Sequence, residues 1–275
     1  MVGYYNSMKE IISELTKEGF EAYIVGGYVR DYLLGIPSND IDIATNAPIN
    51  KVMKIFKGRG VAFKEYYSFH IKDEDFTYTI TTYRKEKEYR RNKPIKLEIA
   101  SSLGEDLLRR DFTINTFAID PDGNLIDMLG AKKDLNSRLI KMVGDTDTKL
   151  NEDKTRILRA IRLSCTLDFE LDYRIVEFIQ NHHAHLLNEV SDEYKKKELD
   201  KIFDSRNTSR FFYMCFILKL DKYLKIEHAN VKEAYDRFGY WAQIETTLPI
   251  SKKEKHIIDN IRHLISKGDI SIDDL

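Results

Sequence analysis

The stretch DIDIAT, Asp40–Thr45, alternates acids with β-branched residues. As a strand it puts Asp40 and Asp42 on one face and Ile41 and Ile43 on the other. The two carboxylates then start about 6.6 Å apart at Cα. Like charges so placed repel, and burying them is costly unless something positive lies between them. They can converge on Mg²⁺, a hard cation that takes oxygen ligands and keeps positions open for substrate phosphates. Two such metals can activate an attacking hydroxyl and stabilise a leaving pyrophosphate. By itself, D-x-D more often marks a solvated strand edge.

The preceding residues strengthen the chemical reading. Gly26 and Gly27 close the β-rich run FEAYIVGG and open the helix VRDYLLG, which ends at Gly35. A strand–Gly-Gly–helix turn exposes backbone N–H groups and a positive helix end, both suited to a triphosphate. Arg30, one turn into that helix, adds a charged fork for phosphate. Gly-Gly alone is more often a tight turn. Gly-Gly, arginine and paired aspartates at this spacing form a phosphate cradle beside a metal pair.

The elements that must carry these residues are legible around them. Asn6 caps a helix over 7–18 with Met8, Ile11, Ile12 and Leu15 on one face. Pro48 opens another over 49–57. The runs FKEYYSFHIKD and DFTYTITTYRK read as a hairpin around Asp73–Asp75, in one sheet with DIDIAT. Arg84–Lys96 holds seven basic and two acidic residues without an apolar pattern and reads as a mobile loop. LEIAS is a short strand. LGEDLLRRDFTINTFAID is helix-like, turning to strand after Thr113, and DPDGN is a hairpin turn. From Ala131 strand signals stop and helical periods take over. The fold class is therefore α+β: a mixed sheet with helices, then an all-helical C-terminal part.

Bulk properties narrow the class. The chain has 275 residues, 32% of them charged, and a net charge of −1, so nothing global points to nucleic acid. Basic clusters at Tyr194–Lys201, Leu218–Lys225 and Ser251–Lys255 read equally as solvated helix faces or as binding patches. No apolar run reaches the roughly 18 residues of a membrane helix, and the N-terminus lacks a signal-peptide pattern, so a cytoplasmic protein is expected. Two cysteines, Cys165 and Cys215, give no disulfide framework; Cys165 reads as core. His70, His182, His183 and His185 have no acid or cysteine at ligand spacing, so no zinc site is expected.

GG-x-VRD-x-LLG followed by DIDIAT resembles the signature of the class II tRNA nucleotidyltransferases, the polymerase β-like group of bacterial CCA-adding enzymes and poly(A) polymerases. RRDFTIN, Arg109–Asn115, is similar to the family's ribose-recognition motif. EDKTRILRAIR, Glu152–Arg162, resembles its nucleotide-selecting helix, and VSDEYKKKEL, Val190–Leu199, its neck helix. Arg84–Pro94 occupies the place of its flexible loop. The ordered series covers about residues 20–205. It implies a polymerase β-like head over 1–135, a helical neck over 136–205 and a short tRNA-binding helical body over 206–275.

The resemblance also assigns roles. Asp40 and Asp42 become catalytic metal ligands for Mg²⁺, while Gly26, Gly27 and Arg30 become nucleotide-binding. Asp111 is implied as a ribose hydroxyl partner and Arg110 as a nucleotide contact; outside the family, RRD is a charge cluster at a helix end. Asp153 and Arg156, three apart, are neighbours on a helix face. Cytosine and adenine both offer an exocyclic amine beside a ring-nitrogen acceptor, which an aspartate and an arginine complement. Uracil and guanine present the reverse pattern, a mismatch of a few kcal/mol. The pair would pass CTP and ATP without a template. Arg159 and Arg162 continue the face toward triphosphate or tRNA backbone. Outside the family, the same segment reads as a surface helix laced with ion pairs.

The chain departs from the family's pattern in places. In TITTYR, Thr79 stands where the family has an acid, leaving nucleophile activation to the metals or to Glu74 or Asp75. Tyr194 replaces a favoured arginine in the neck motif. About 70 residues follow the neck, which suggests a reduced grip on tRNA or one shared in an oligomer. The implied activity is addition of CCA to the tRNA 3′ end. A CC-adding, A-adding or poly(A)-adding relative, or a binding protein without turnover, remain the alternatives.

Overall fold

The computed structural model describes residues 2–181, 183–268 and 270–271. His182 lies outside them. The chain divides into two units. The first comprises Met1–Arg90, Pro94–Ser137 and Lys141–Gly144; the second comprises Arg91–Lys93, Arg138–Ile140 and Asp145–Leu275.

The first unit contains α1 (Val2–Lys17), β1 (Ala22–Val25), α2 (Gly27–Leu34), β2 (Asp40–Thr45), α3 (Ile49–Ile55), β3 (Val61–Phe63), β4 (Ser68–Lys72) and β5 (Thr77–Thr82). There follow β6 (Arg84–Arg90), β7 (Lys93–Ile99), α4 (Leu103–Leu108), β8 (Ala118–Ile119), β9 (Leu125–Ile126) and α5 (Ala131–Asn136). Helix α1 starts at Val2, so Asn6 lies inside it rather than at its cap. Its buried Met8, Ile11, Ile12 and Leu15 follow the i, i+3, i+4, i+7 stripe of a core-facing helix. Helix α2 stops at Gly35, whose left-handed backbone lets the Gly35 and Ile36 N–H groups bond the carbonyls of Tyr32 and Asp31.

Among the described residues, seven strands form one mixed sheet in the order β3-β4-β5-β2-β1-β8-β9. β2 and β5 run parallel, and the other pairs are antiparallel. β4 and β5 form the expected hairpin, and β8 and β9 flank the DPDGN turn. Ile41, Ile43, Phe69, Ile71, Tyr78 and Ile80 are buried on one sheet face. Each such side chain contributes about 1.5–3 kcal/mol through burial. On the other face Val25, Ala44, Ala118 and the α4 residues Leu103 and Leu107 form a smaller core with Tyr83 and Ala100. This second core covers only part of its face, and the acids of β2 lie on the uncovered part.

The basic stretch expected as a loop is a two-stranded sheet, β6 with β7. Its alternating charges pair across it, Lys87 with Glu98 at 2.6 Å and Lys96 with Glu88 at 3.5 Å. Arg91 and Asn92 turn it at φ 50° and 62°, the backbone of a tight hairpin. An apolar pattern is not needed where cross-strand ion pairs set the register.

The second unit contains β10 (Leu139–Ile140), α6 (Thr146–Glu152), α7 (Thr155–Leu167), β11 (Glu170–Leu171), α8 (Tyr173–Gln180), α9 (Asp192–Phe203), α10 (Thr208–Leu218) and α11 (Asp221–Leu224). It ends with β12 (Ile226–Glu227), α12 (Arg237–Gln243), β13 (Glu245–Thr246) and α13 (Lys252–Lys267). Among the described residues its strands are two pairs of two residues each, β10 with β11 and β12 with β13, and its other regular elements are helices. These are too short to leave a period in the sequence. The segment EDKTRILRAIR is not one helix: it breaks at Asp153, at φ −140° and ψ 100°, between α6 and α7.

Candidate active site

Strand alternation leaves Asp40 and Asp42 exposed while Ile41 and Ile43 are 1% and 0% exposed. The pairing places Thr79 of β5 directly beside Asp42, and His70 of β4 directly beside Thr79. Registered neighbours share a sheet face, so His70, Thr79 and Asp42 form one row. His70 packs against Phe63 at 4.6 Å between ring centroids. Glu74 and Asp75 sit in the exposed β4–β5 turn, beyond the Asp40–Thr77 row. There the Asp73 carboxylate accepts from the Asp75 and Phe76 N–H groups.

Gly26 determines how closely this face can be approached. Its φ of +81° favours glycine, and a Cβ there would lie 3.0 Å from both Asp42 Oδ2 and Arg110 Nη1. Gly26, Asp42 and Arg110 therefore converge. Gly26 is the N-cap of α2 and has no side chain with which to cap the helix start.

Arg110 is held from behind by Asp106, a carboxylate 1% exposed. Asp106 accepts from Arg110 Nη2 at 3.3 Å, Arg109 Nε at 2.9 Å and the Arg84 backbone N–H at 3.2 Å. Burial alone would raise the Asp106 carboxyl; Arg109 and Arg110 outweigh it and hold the group below its usual range. Arg109 also donates to Glu86 Oε1 at 3.1 Å, which takes two further bonds from Arg84. The root of the β6–β7 sheet is thus tied to the acid face. Sequence reading missed this hub, although an acid three and four residues ahead of two arginines is a readable spacing. Arg110 Nε is buried without a hydrogen-bond partner among the described residues.

Arg30 is 8% exposed. Its Nε and Nη2 donate to Asp31 at 2.8 and 2.7 Å, and its Nη1 donates to Asn115 Oδ1 at 2.6 Å. Asn115 in turn donates to Asp111 Oδ1 at 3.0 Å, which also accepts from the Phe112 N–H. Arg30 is therefore a brace whose chain of bonds ends on Asp111. Each of its terminal nitrogens keeps one further N–H. Gly27 lies against it, a Cβ there falling 3.5 Å from Arg30 Nη2.

In the second unit, Asp153 Oδ1 accepts from the backbone and hydroxyl of Thr155, and Asp153 Oδ2 lies 3.9 Å from Arg156 Nε. The pair adjoins across the start of α7 rather than along a helix face. Arg156 is 4% exposed and donates to the Lys149 carbonyl at 2.7 Å and to Glu152 at 3.3 Å. Arg159 is half-buried on the same helix. Arg162 Nε donates to the buried Glu198 of α9 at 2.6 Å. Tyr194 packs nearby; burial first, then Glu198, pushes its phenol up to about 12. Cys165 is core, as expected, and burial pushes its thiol up to about 12.

Residues 22–141 match the poly A polymerase head domain. A CCA-adding enzyme from Bacillus pumilus is 37% identical over 233 residues, covering 84% of this chain and 58% of that protein. Another, from Streptococcus agalactiae, is 39% identical over 195 residues, 70% of this chain and 48% of that protein. The chain superposes on the Bacillus stearothermophilus CCA-adding enzyme crystallised with CTP at a TM-score of 0.80 and 27% identity, covering 97% of this chain and 70% of that one. This chain belongs to the tRNA nucleotidyltransferase and poly(A) polymerase family. It spans about half the length of these curated relatives. The exposed, all-oxygen donor set of Asp40 and Asp42 suits a divalent cation, the class of metal this family uses. Among the described residues no helix is long and apolar enough to cross a membrane.

Proposed function

We propose that this protein adds CCA to the 3′ end of tRNA, using CTP and ATP and Mg²⁺ held by Asp40 and Asp42. The observation that carries the reading is the exposure of Asp40 and Asp42 side by side on a strand whose other residues are buried, with Gly26 and Arg110 against Asp42. The relatives named as CCA-adding enzymes supply the substrate class.

Asp40 and Asp42 would hold Mg²⁺, which would supply a lowered pKa for the attacking tRNA hydroxyl and charge compensation for the leaving pyrophosphate. The chain's own groups do the rest. Gly26 and Gly27 leave room and backbone N–H groups for the triphosphate. Arg110, fixed by Asp106, adds positive charge where the transfer builds negative charge. Arg30 fixes Asp111 through Asn115, and Asp111 takes a ribose hydroxyl. Asp153 accepts from the base amine and Arg156 donates to the ring nitrogen, passing cytosine and adenine. Arg159 and Arg162 support that segment. We assign the head to residues 1–135, the neck to 136–205 and a tRNA-binding body to 206–275.

A second reading, a nucleotide- and tRNA-binding protein without turnover, is favoured by one observation: Thr79 stands directly beside Asp42. A hydroxyl there cannot act as a base at neutral pH. Extension of tRNA transcripts lacking CCA, ending in CC, or complete, with Mg²⁺ and each NTP, decides between the two. Addition of C, C and A followed by a stop is expected. Partial addition assigns a specialist, and a run of A assigns a poly(A) polymerase. Nucleotide binding without extension establishes the binder.

A further inference from the structure

The C-terminal part of the second unit brings together three side chains that the proposed reaction does not use. Cys215, Asp221 and His228 each offer a ligand atom, and those atoms all lie within 4.8 Å of one another. Successive elements deliver them. Cys215 sits in the last turn of α10, which Lys219 ends in a left-handed conformation. The Leu220 N–H then bonds the Cys215 carbonyl at 3.1 Å, folding the chain back so that Asp221 opens α11. Strand β12, paired with β13, brings His228 in behind it.

We propose that Cys215, Asp221 and His228 form a binding site for a borderline-soft divalent cation of the zinc class. A tetrahedral ion with bonds of about 2.3 Å to sulfur and about 2.0–2.1 Å to nitrogen and oxygen sets its donors about 3.3–3.6 Å apart. His228 Nε2 and Asp221 Oδ1 stand at 2.9 Å and must part by a few tenths of an ångström. The remaining donors, within the 4.8 Å limit, need to close by about an ångström at most. Changes of that size are rotamer adjustments. The imidazole is already oriented, edge-on to Phe212 at 4.8 Å between centroids. Cys215 is fully buried, while the side chains of His228 and Asp221 are 18% and 41% exposed. The soft donor is thus inside and the hard donor faces water, which supplies the fourth ligand. Binding transfers the thiol proton to solvent. Thiolate and imidazole select zinc over magnesium, so this site and the carboxylate pair of the head take different metals. The spacing of six and seven residues fits no common zinc-finger pattern. Only the fold joins the three.

The test is titration of the chelator-stripped full chain with Co²⁺. A thiolate-to-cobalt charge-transfer band reaching its plateau at one equivalent is expected. Zn²⁺ should displace it, and excess Mg²⁺ should not. Cys215→Ser should abolish the band, His228→Gln should weaken Co²⁺ binding at least tenfold, and Asp42→Ala should leave both unchanged. Because Cys215→Ser alters a core position, the part-exposed His228→Gln keeps the test valid if the serine variant does not fold. No charge-transfer band in the wild type, or a band that survives Cys215→Ser, would overturn the proposal. The trio is then a metal-free hydrogen-bonded chain.

Discussion

The acid face of the head and the α7 segment of the second unit carry the same residue types in opposite arrangements. In the head, Asp40 and Asp42 are exposed, and the nearby arginines are anchored by other, buried acids. Around α7 the arginines are tied into the protein: the buried Arg156 to a backbone carbonyl and Glu152, the half-buried Arg162 to Glu198. A charge on a half-covered strand stays open to solvent, whereas a charge on a helix packed among helices needs partners inside the protein, whatever ligand it also meets. Position in a motif identifies the residue; the surrounding fold decides whether it faces a ligand or braces one that does.

The sharpest break of this comparison is Asp42→Ala. It should remove transfer by about a thousandfold or more, several kcal/mol of barrier, while leaving the circular dichroism and thermal midpoint nearly unchanged. A large loss of stability would mean that the acid face is structural like α7. Arg162→Ala should do the converse. It removes the 2.6 Å partner of Glu198, a carboxylate 2% exposed, and should cost roughly 3 kcal/mol in urea unfolding. Arg162→Met combined with Glu198→Leu should recover most of that. Unchanged stability with lost nucleotide affinity would instead make Arg162 a ligand contact.

Asp106→Asn probes the link between bracing and catalysis. Removing the charge that holds Arg110 should lower single-turnover transfer about 10- to 100-fold in a folded protein. It should also change the acid limb of stability. The folded carboxyl lies below its usual range, so its contribution is complete above the unfolded value of about 4. That contribution is lost as pH falls from there toward the folded value. Urea midpoints should therefore fall less steeply below pH 4 in Asp106→Asn than in the wild type. An identical acid limb would show that Arg109 and Arg110 do not stabilise the carboxylate.

What the sequence disclosed and what it hid follow the same physics. Alternation in DIDIAT put Asp40 and Asp42 on one face, and Gly35 ended α2 where expected, because both signals are local. The β6–β7 sheet was hidden because its register rests on charge pairs rather than an apolar face. The break at Asp153 was hidden because Glu152–Arg162 keeps a helical period on both sides of it. Arg30 and Arg162 were legible as charges but not as braces, since their partners, Asn115 and Glu198, lie 85 and 36 residues away. The trio of Cys215, Asp221 and His228 likewise exists only once α10, α11 and β12 have folded back on one another.

The smallest effect is the most informative about the acid face. Thr79→Glu places a third carboxylate directly beside Asp42 in the sheet register. Without metal, the added like charge at half-buried Thr79, beside the exposed Asp42, should destabilise the head by about 0.5 kcal/mol. With Mg²⁺ the sign should reverse, because a cation shared by the carboxylates favours the folded state that assembles them. The check is a pair of urea titrations, with chelator and with millimolar Mg²⁺, on wild type and variant. A Mg²⁺-dependent gain in the variant larger than in the wild type would mean that Thr79 occupies a metal-facing position. A faster single-turnover transfer in the same variant would mean that the hydroxyl limits activation of the nucleophile. A penalty that Mg²⁺ leaves untouched would mean that the metal draws on Asp40 and Asp42 alone, and that the row through Thr79 and His70 lies outside its reach.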